Sequence, residues 1–158
     1  SSDIVTVMKR LDKTVFIVKD GEDAKYLNFR GQEIEKLSYE QSREIVKAMT
    51  RLTPTNVYEI NQKVAGSEYR GRALPLYRIT SYDENNEEIN VYLNPYSGKI
   101  EAIRTLSWRI WDFLWGLHII DWSERDNINN IFLQIFSLLA LVSSITGIIL
   151  FFRTVRSP

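Results

Sequence analysis

The chain of 158 residues contains no cysteine. Disulfides, thiolate nucleophiles and cysteine-ligated zinc or iron–sulfur centres are therefore excluded. An oxidising compartment is compatible with that composition without being required by it. Histidine is almost missing: His118 is the only one, too few for a metal site built on imidazoles. Methionine occurs twice, as Met8 and Met49. Net charge is lacking too, since 20 Lys and Arg balance 20 Asp and Glu, and a cut after Thr105 leaves 16 of each before it and 4 of each after it. Neither part has the basic excess that a phosphate backbone demands, so nucleic acid is not expected as a partner. The chain opens at Ser1 with no methionine and no signal-peptide pattern, which leaves open a targeting segment or a further membrane helix ahead of it.

What is abundant is unevenly placed. The run "IFLQIFSLLALVSSITGIILFF", Ile131 to Phe152, carries no charge. About 20 apolar residues at 1.5 Å each cross a bilayer core, so this run predicts a single transmembrane helix. Arg153 and Arg156 follow it without an acid, whereas "DWSERDN" before it mixes signs. The positive-inside tendency then places the C-terminus in the cytoplasm and the preceding domain in the periplasm of a bacterial inner membrane.

The polar part reads as a small α+β domain with an antiparallel sheet and one helix. "TVFIVKDGEDAKYLNF" predicts two strands around Asp20-Gly21, and "RGQE", Arg30 to Glu33, predicts a turn. In "SYEQSREIVKAM" Ser38 can cap a helix with Gln41 three residues on, while Ile45, Val46 and Met49 form an apolar face. Pro54 follows the helix. "ALPLYRITSY" and "EINVYLN" alternate with period two around a hairpin tip at Asn85-Asn86, and "NPYSGKIEAI" turns through Pro95 and Gly98 into another strand. The acids of the tip, Asp83, Glu84, Glu87 and Glu88, read as a solvated turn in preference to a cation site. Four segments result: a domain over 1–105, an aromatic neck and connector over 106–128, a membrane helix over 129–153 and a tail over 154–158.

All four tryptophans, Trp108, Trp111, Trp115 and Trp122, lie in the neck. Helical spacing puts Trp108, Trp111 and Trp115 on one stripe that His118 continues. Tryptophan favours the bilayer interface, so the neck predicts an amphipathic helix lying there. His118 has two readings: an amphipathic ring at that interface, or an axial ligand to haem b. The second needs a further ligand from another chain, because no second histidine exists here. No nucleophile-elbow motif accompanies His118, and an enzyme acting alone is not expected.

Within the apolar run, Gln134, Ser137, Ala140, Ser144 and Gly147 recur at three- and four-residue steps and share one helical stripe, set against Leu138, Leu139, Val142 and Ile149. Ser143 and Gly147 fit the small-xxx-small pattern on a neighbouring line. Small residues let backbones approach, so the stripe predicts packing against another helix, from a second copy or from a different membrane subunit.

The ordered series "LPLYRI", hairpin, "VYLNPYSGKI", an aromatic helix ending in "LH", then "DW", then "SSITGIILFFR" resembles the PepSY domain with its associated transmembrane helix. Tyr77 to Ile79 are similar to that family's central strand and Val91 to Ile100 to its following strand and turn, with Asn94 in place of the usual acid and Ser97 in place of the usual Thr. Leu117-His118 and Thr146-Gly147 match its "LH" and "TG". The resemblance covers about Ser38 to Arg153. It implies an extracytoplasmic module tethered to the membrane, associated in the family with regulation or inhibition of peptidases, envelope complexes, iron–siderophore reduction and haem. The expected function is a membrane-anchored interaction module that docks through its head, with lipid around its helix. The alternative is an accessory subunit of a redox or iron–siderophore reductase complex that shares haem through His118.

Overall fold

The computed structural model describes residues 4–20, 23–119 and 131–155. Trp122, Asp121, the Gly21 of the first turn and Arg156 lie outside the described residues. The chain divides into two compact units after Arg109.

The first unit holds two antiparallel sheets and one helix. β1 (Ile4–Arg10), β2 (Lys13–Asp20) and β3 (Asp23–Leu27) form a three-stranded sheet in that order. After α1 (Tyr39–Met49), the strands β4 (Thr53–Ile60), β5 (Leu76–Tyr82), β6 (Glu88–Leu93) and β7 (Ile100–Arg104) form a four-stranded meander, also in sequence order. The α+β class expected from the sequence is what the chain adopts.

α1 starts where its side chains make it start. Ser38 Oγ accepts from the Gln41 amide while Gln41 Oε1 accepts from the Ser38 amide, a complete capping box. This satisfies donors that a helix start leaves open. Ser38→Ala is expected to cost about 1 kcal/mol, read as a lowered urea midpoint of the head with an unchanged slope. Ser42, Ile45 and Val46 are buried, and with Leu37 they pack on Tyr77, Ile79, Val91 and Leu93 of the central strands. Met49 departs from the expected apolar face: it is the last residue of the helix and is 65% exposed. The face ends one turn earlier because the chain leaves the helix at Thr50.

The turn between β6 and β7 seals this core. Gly98 has φ of 73°, and a Cβ there would stand 3.0 Å from Ile45 Cδ1. Gly98→Ala is therefore strained twice, by the left-handed backbone and by α1, and is expected to cost roughly 1–2 kcal/mol in the same unfolding measurement.

Two strands were not expected. β1 reads apolar on alternate positions, yet its Val5 and Val7 are 58% and 59% exposed. β4 contains Pro54, which reads as a helix stop. The structure accommodates that proline because β4 is an edge strand with an irregular register between Pro54 and Val57, the location where a missing ladder donor costs least.

The second unit contains the rest of α2 (Leu106–His118) and α3 (Ile131–Val155). α3 is 25 residues long, and from Ile131 to Thr154 it is long and apolar enough to cross a bilayer. Among the described residues, none of that span is buried.

Candidate functional site in the head, the neck and the membrane helix

The four-stranded sheet has unlike faces. Tyr77, Ile79, Val91 and Leu93 turn toward α1, so the period-two rule sends Tyr58, Arg78, Asn90, Tyr92 and Arg104 to the opposite face. The loop between β4 and β5 folds back over part of that face, with Tyr69 and Leu74 packed on Leu76, Tyr92 and Ala102. It also brings in Glu68. The Glu68 carboxylate accepts from Asn90 Nδ2 at 2.9 Å, from the Tyr92 hydroxyl at 2.9 Å and from Arg109 Nε at 2.5 Å. Its backbone carbonyl accepts from Arg104 Nε at 2.8 Å. Trp108, in the first turn of α2, lies beneath the Arg104 guanidinium at 4.0 Å and near that of Arg70 at 5.7 Å.

The electrostatics follow from those contacts. Burial pushes the Glu68 carboxyl up, but the hydrogen bonds from Arg109, Asn90 and Tyr92 outweigh it and hold the group below the usual carboxylate range. Burial, then the bond to Glu68, raises the Tyr92 phenol well above its ordinary value. Burial and then the charges of Arg72 and Arg70 lower the Arg104 guanidinium. Fully satisfied, this network ties loop, sheet and the start of α2 together.

A concavity lies between the sheets. Thr6, Met8, Ile17 and Tyr26 from the small sheet face Asn94, Ser97 and Glu101 across a cleft of about 540 Å³. The sheets are joined at its end. Arg10 Nη1 donates to the carbonyls of Glu35 and Tyr96 at 2.8 and 3.0 Å, Asn94 Nδ2 donates to Tyr26 Oη at 2.8 Å, and Tyr26 stacks on Tyr96 at 4.9 Å. Asn94, where the resembling family has an acid, spends its Oδ1 on the amides of Tyr96 and Ser97.

The acids of the β5–β6 tip include a turn former. Asp83 Oδ1 accepts from the amides of Asn85 and Glu87 at 2.9 and 2.8 Å. Asn86 supplies the left-handed backbone, with φ of 61°. Among the described residues, no three His, Cys, Asp or Glu side chains gather as a metal site.

In α2 beyond the head unit, Trp111 and Trp115 stack at 5.7 Å with their rings 7° apart, and Trp115 meets the His118 ring at 6.0 Å. His118 itself is exposed. In α3 the hydroxyls of Ser137 and Ser144 donate to the carbonyls of Leu133 and Ala140 at 2.7 and 2.8 Å, and Thr146 donates to Val142. At Ser137 and Ser144 the hydroxyls are thus engaged within α3 itself. A Cβ added to Gly147 would meet nothing within 4 Å.

Comparison with protein families matches residues 26–158 to the family described as the PepSY-associated TM region. The chain belongs to that family. It is a membrane-associated PepSY protein, and α3 is its candidate membrane span. Comparison with curated proteins and comparison with solved structures each return no match.

In this PepSY chain the sequence-derived tryptophan stripe divides. Trp108 stands with the head's arginines, while Trp111 and Trp115 stack on one another and lead to His118. Met8 lines the inter-sheet cleft and Met49 is exposed on α1, so both methionines sit on head elements. Gln134, Ser137, Ala140, Ser144 and Gly147 all lie on α3. Sequence reasoning missed Glu68 as the centre of the head's polar face.

Proposed function

We propose that this PepSY protein is a membrane-anchored interaction module: its head, on the extracytoplasmic side, docks on a partner protein, and α3 packs into a larger inner-membrane assembly. The observation that carries this reading is the pairing of a hydrogen-bonded α+β unit with an apolar helix of membrane-spanning length, none of whose span is buried among the described residues. A helix serving only as an anchor has no use for small residues along one line, whereas close helix packing does. Arg153 at the end of α3 favours a cytoplasmic C-terminus. Regulation of an envelope peptidase is one form such docking can take.

Purification of the intact chain in mild detergent is expected to retain a stoichiometric second chain or a second copy. A strictly monomeric, partner-free protein would sink the reading. Orientation has its own test, because the chain lacks cysteine. Lys47→Cys in the head is expected to react with a membrane-impermeant maleimide from the periplasmic side, and Thr154→Cys only after the membrane is opened. The reverse pattern places the head in the cytoplasm.

A further inference from the structure

Half-buried arginines of the head have evident oxygen partners, with one exception. Arg10 serves the carbonyls of Glu35 and Tyr96, Arg43 serves Thr55 and Glu40, and Arg104 and Arg109 serve Glu68. Arg78, in the middle of β5, forms no ion pair among the described residues. Its Nε is buried without a hydrogen-bond partner. Burying a guanidinium Nε–H without an acceptor is costly, and it is the kind of defect that a ligand's oxygen repairs. The nearby Glu68 carboxylate is already taken by Arg109, Asn90 and Tyr92.

The surroundings define what such a ligand looks like. Arg78 stands in register between Tyr58 of β4 and Tyr92 of β6. Its guanidinium leans toward β4 and stacks over Tyr58 at 4.9 Å, and Tyr58 is 47% exposed. A guanidinium over an aromatic ring still offers a planar fork of N–H donors, the geometry that a bidentate oxyanion fits. β4 is an edge strand. One end of that edge is spoiled for pairing by Pro54, by the irregular register before Val57 and by Arg43 donating to the Thr55 carbonyl. The stretch Val57 to Ile60 pairs regularly with β5 and leaves its outer side for another strand. Alternate side chains of a strand added there would fall on the Tyr58 face.

We propose that Arg78 and Tyr58 form a receptor for the carboxylate of an aspartate or glutamate carried by an extended partner segment that adds to the edge of β4. The inference rests on the docking function proposed above and names the chemistry of the docked segment.

The test uses the full chain in lipid nanodiscs with isotope-labelled arginine, and as probe a short valine–threonine peptide with a central glutamate. The peptide is expected to shift the Arg78 Nε–H resonance and to bind roughly ten- to a hundredfold more tightly than its glutamine counterpart. Arg78→Gln is expected to erase that difference, and Arg78→Lys to keep part of it, since an ammonium lacks the planar fork. Circular dichroism confirms that both variants fold. Absence of a shift, equal binding of the two peptides, or equally strong displacement by inorganic phosphate overturns the carboxylate receptor. If a partner co-purifies equally well with the native chain and with Arg78→Gln, the receptor falls while the docking function stands. If no partner co-purifies with the native chain, the docking function falls, and the peptide titration judges Arg78 separately.

Discussion

Glu68→Ala is expected to lower the unfolding free energy of the head by about 3 kcal/mol. The truncation strands three donors together in a part-buried site, the Tyr92 hydroxyl, the Asn90 amide and the Arg109 guanidinium. It also releases the loop that covers Leu76 and Tyr92. Denaturant unfolding followed by tyrosine and tryptophan fluorescence measures the loss, and a change under about 1 kcal/mol would show that the network is ornamental. Glu68→Gln keeps an acceptor for Tyr92 and Asn90 and is expected to lose less. The two variants also separate charge from shape through pH. A carboxyl held below its ordinary value stabilises the fold above the unfolded-state pKa of about 4.3, and that contribution disappears as pH falls through the folded-state value. Native protein should therefore converge on Glu68→Gln in stability as the solution is acidified below about pH 4. At the alkaline end the raised Tyr92 phenol acts in the opposite sense, with its contribution present below about pH 10 and lost above it.

That network also marks the limit of what sequence pattern reveals. Features set by neighbours a few residues apart were legible. The Ser38–Gln41 capping box, the β5–β6 hairpin around Asn85-Asn86 and the Gly98 turn are each decided by local backbone geometry. The apolar length of α3 was equally plain, because crossing a bilayer requires only composition over a fixed span. Glu68 was not legible, since its partners lie 22, 24 and 41 residues away. Only the meander, once formed, brings Asn90 and Tyr92 under the loop. The one available signal was an acid between apolar strands followed closely by Arg70 and Arg72, and alone it reads as a solvated loop.

β1 and β4 escaped for a different reason. An edge strand is defined by what it does not pair with, and neither Val5 and Val7 on an open face nor Pro54 on an open edge announces a strand to a pattern based on burial. The tryptophans show the same limit inside a helix. Helical spacing joins Trp108 to Trp111 and Trp115, but it cannot reveal that Trp108 meets Arg104 while Trp111 remains 57% exposed. Arg78 carries no signal in the strand pattern, because an unpaired guanidinium differs from a paired one only in its surroundings.

Ile79→Ala is expected to cost about 3–4 kcal/mol in the head, the range for removing a large aliphatic side chain from a site that cannot collapse. Ile79 is fully buried at the centre of β5, with Val57 and Val91 opposite it on the flanking strands and Ile45 and Val46 of α1 in the same core. Because the sheet is clamped by Glu68 on its other face, the backbone has little freedom to close the cavity. The informative part is what should not change. Among the described residues α3 has no part of its span buried, and its insertion depends on apolar residues that lie wholly outside the head. The variant should unfold at lower denaturant yet remain in the membrane fraction after an alkaline carbonate wash. Loss of the variant from the membrane would mean that the head holds the helix in place, contradicting the separation of anchor from docking unit on which the proposed function rests. Conversely, an Ile79→Ala head that unfolds, together with a helix that stays and still associates with its assembly, would assign α3 an interaction of its own. That outcome would favour the small-residue stripe of Ser137, Ala140, Ser144 and Gly147 as a packing surface independent of the docking site at β4.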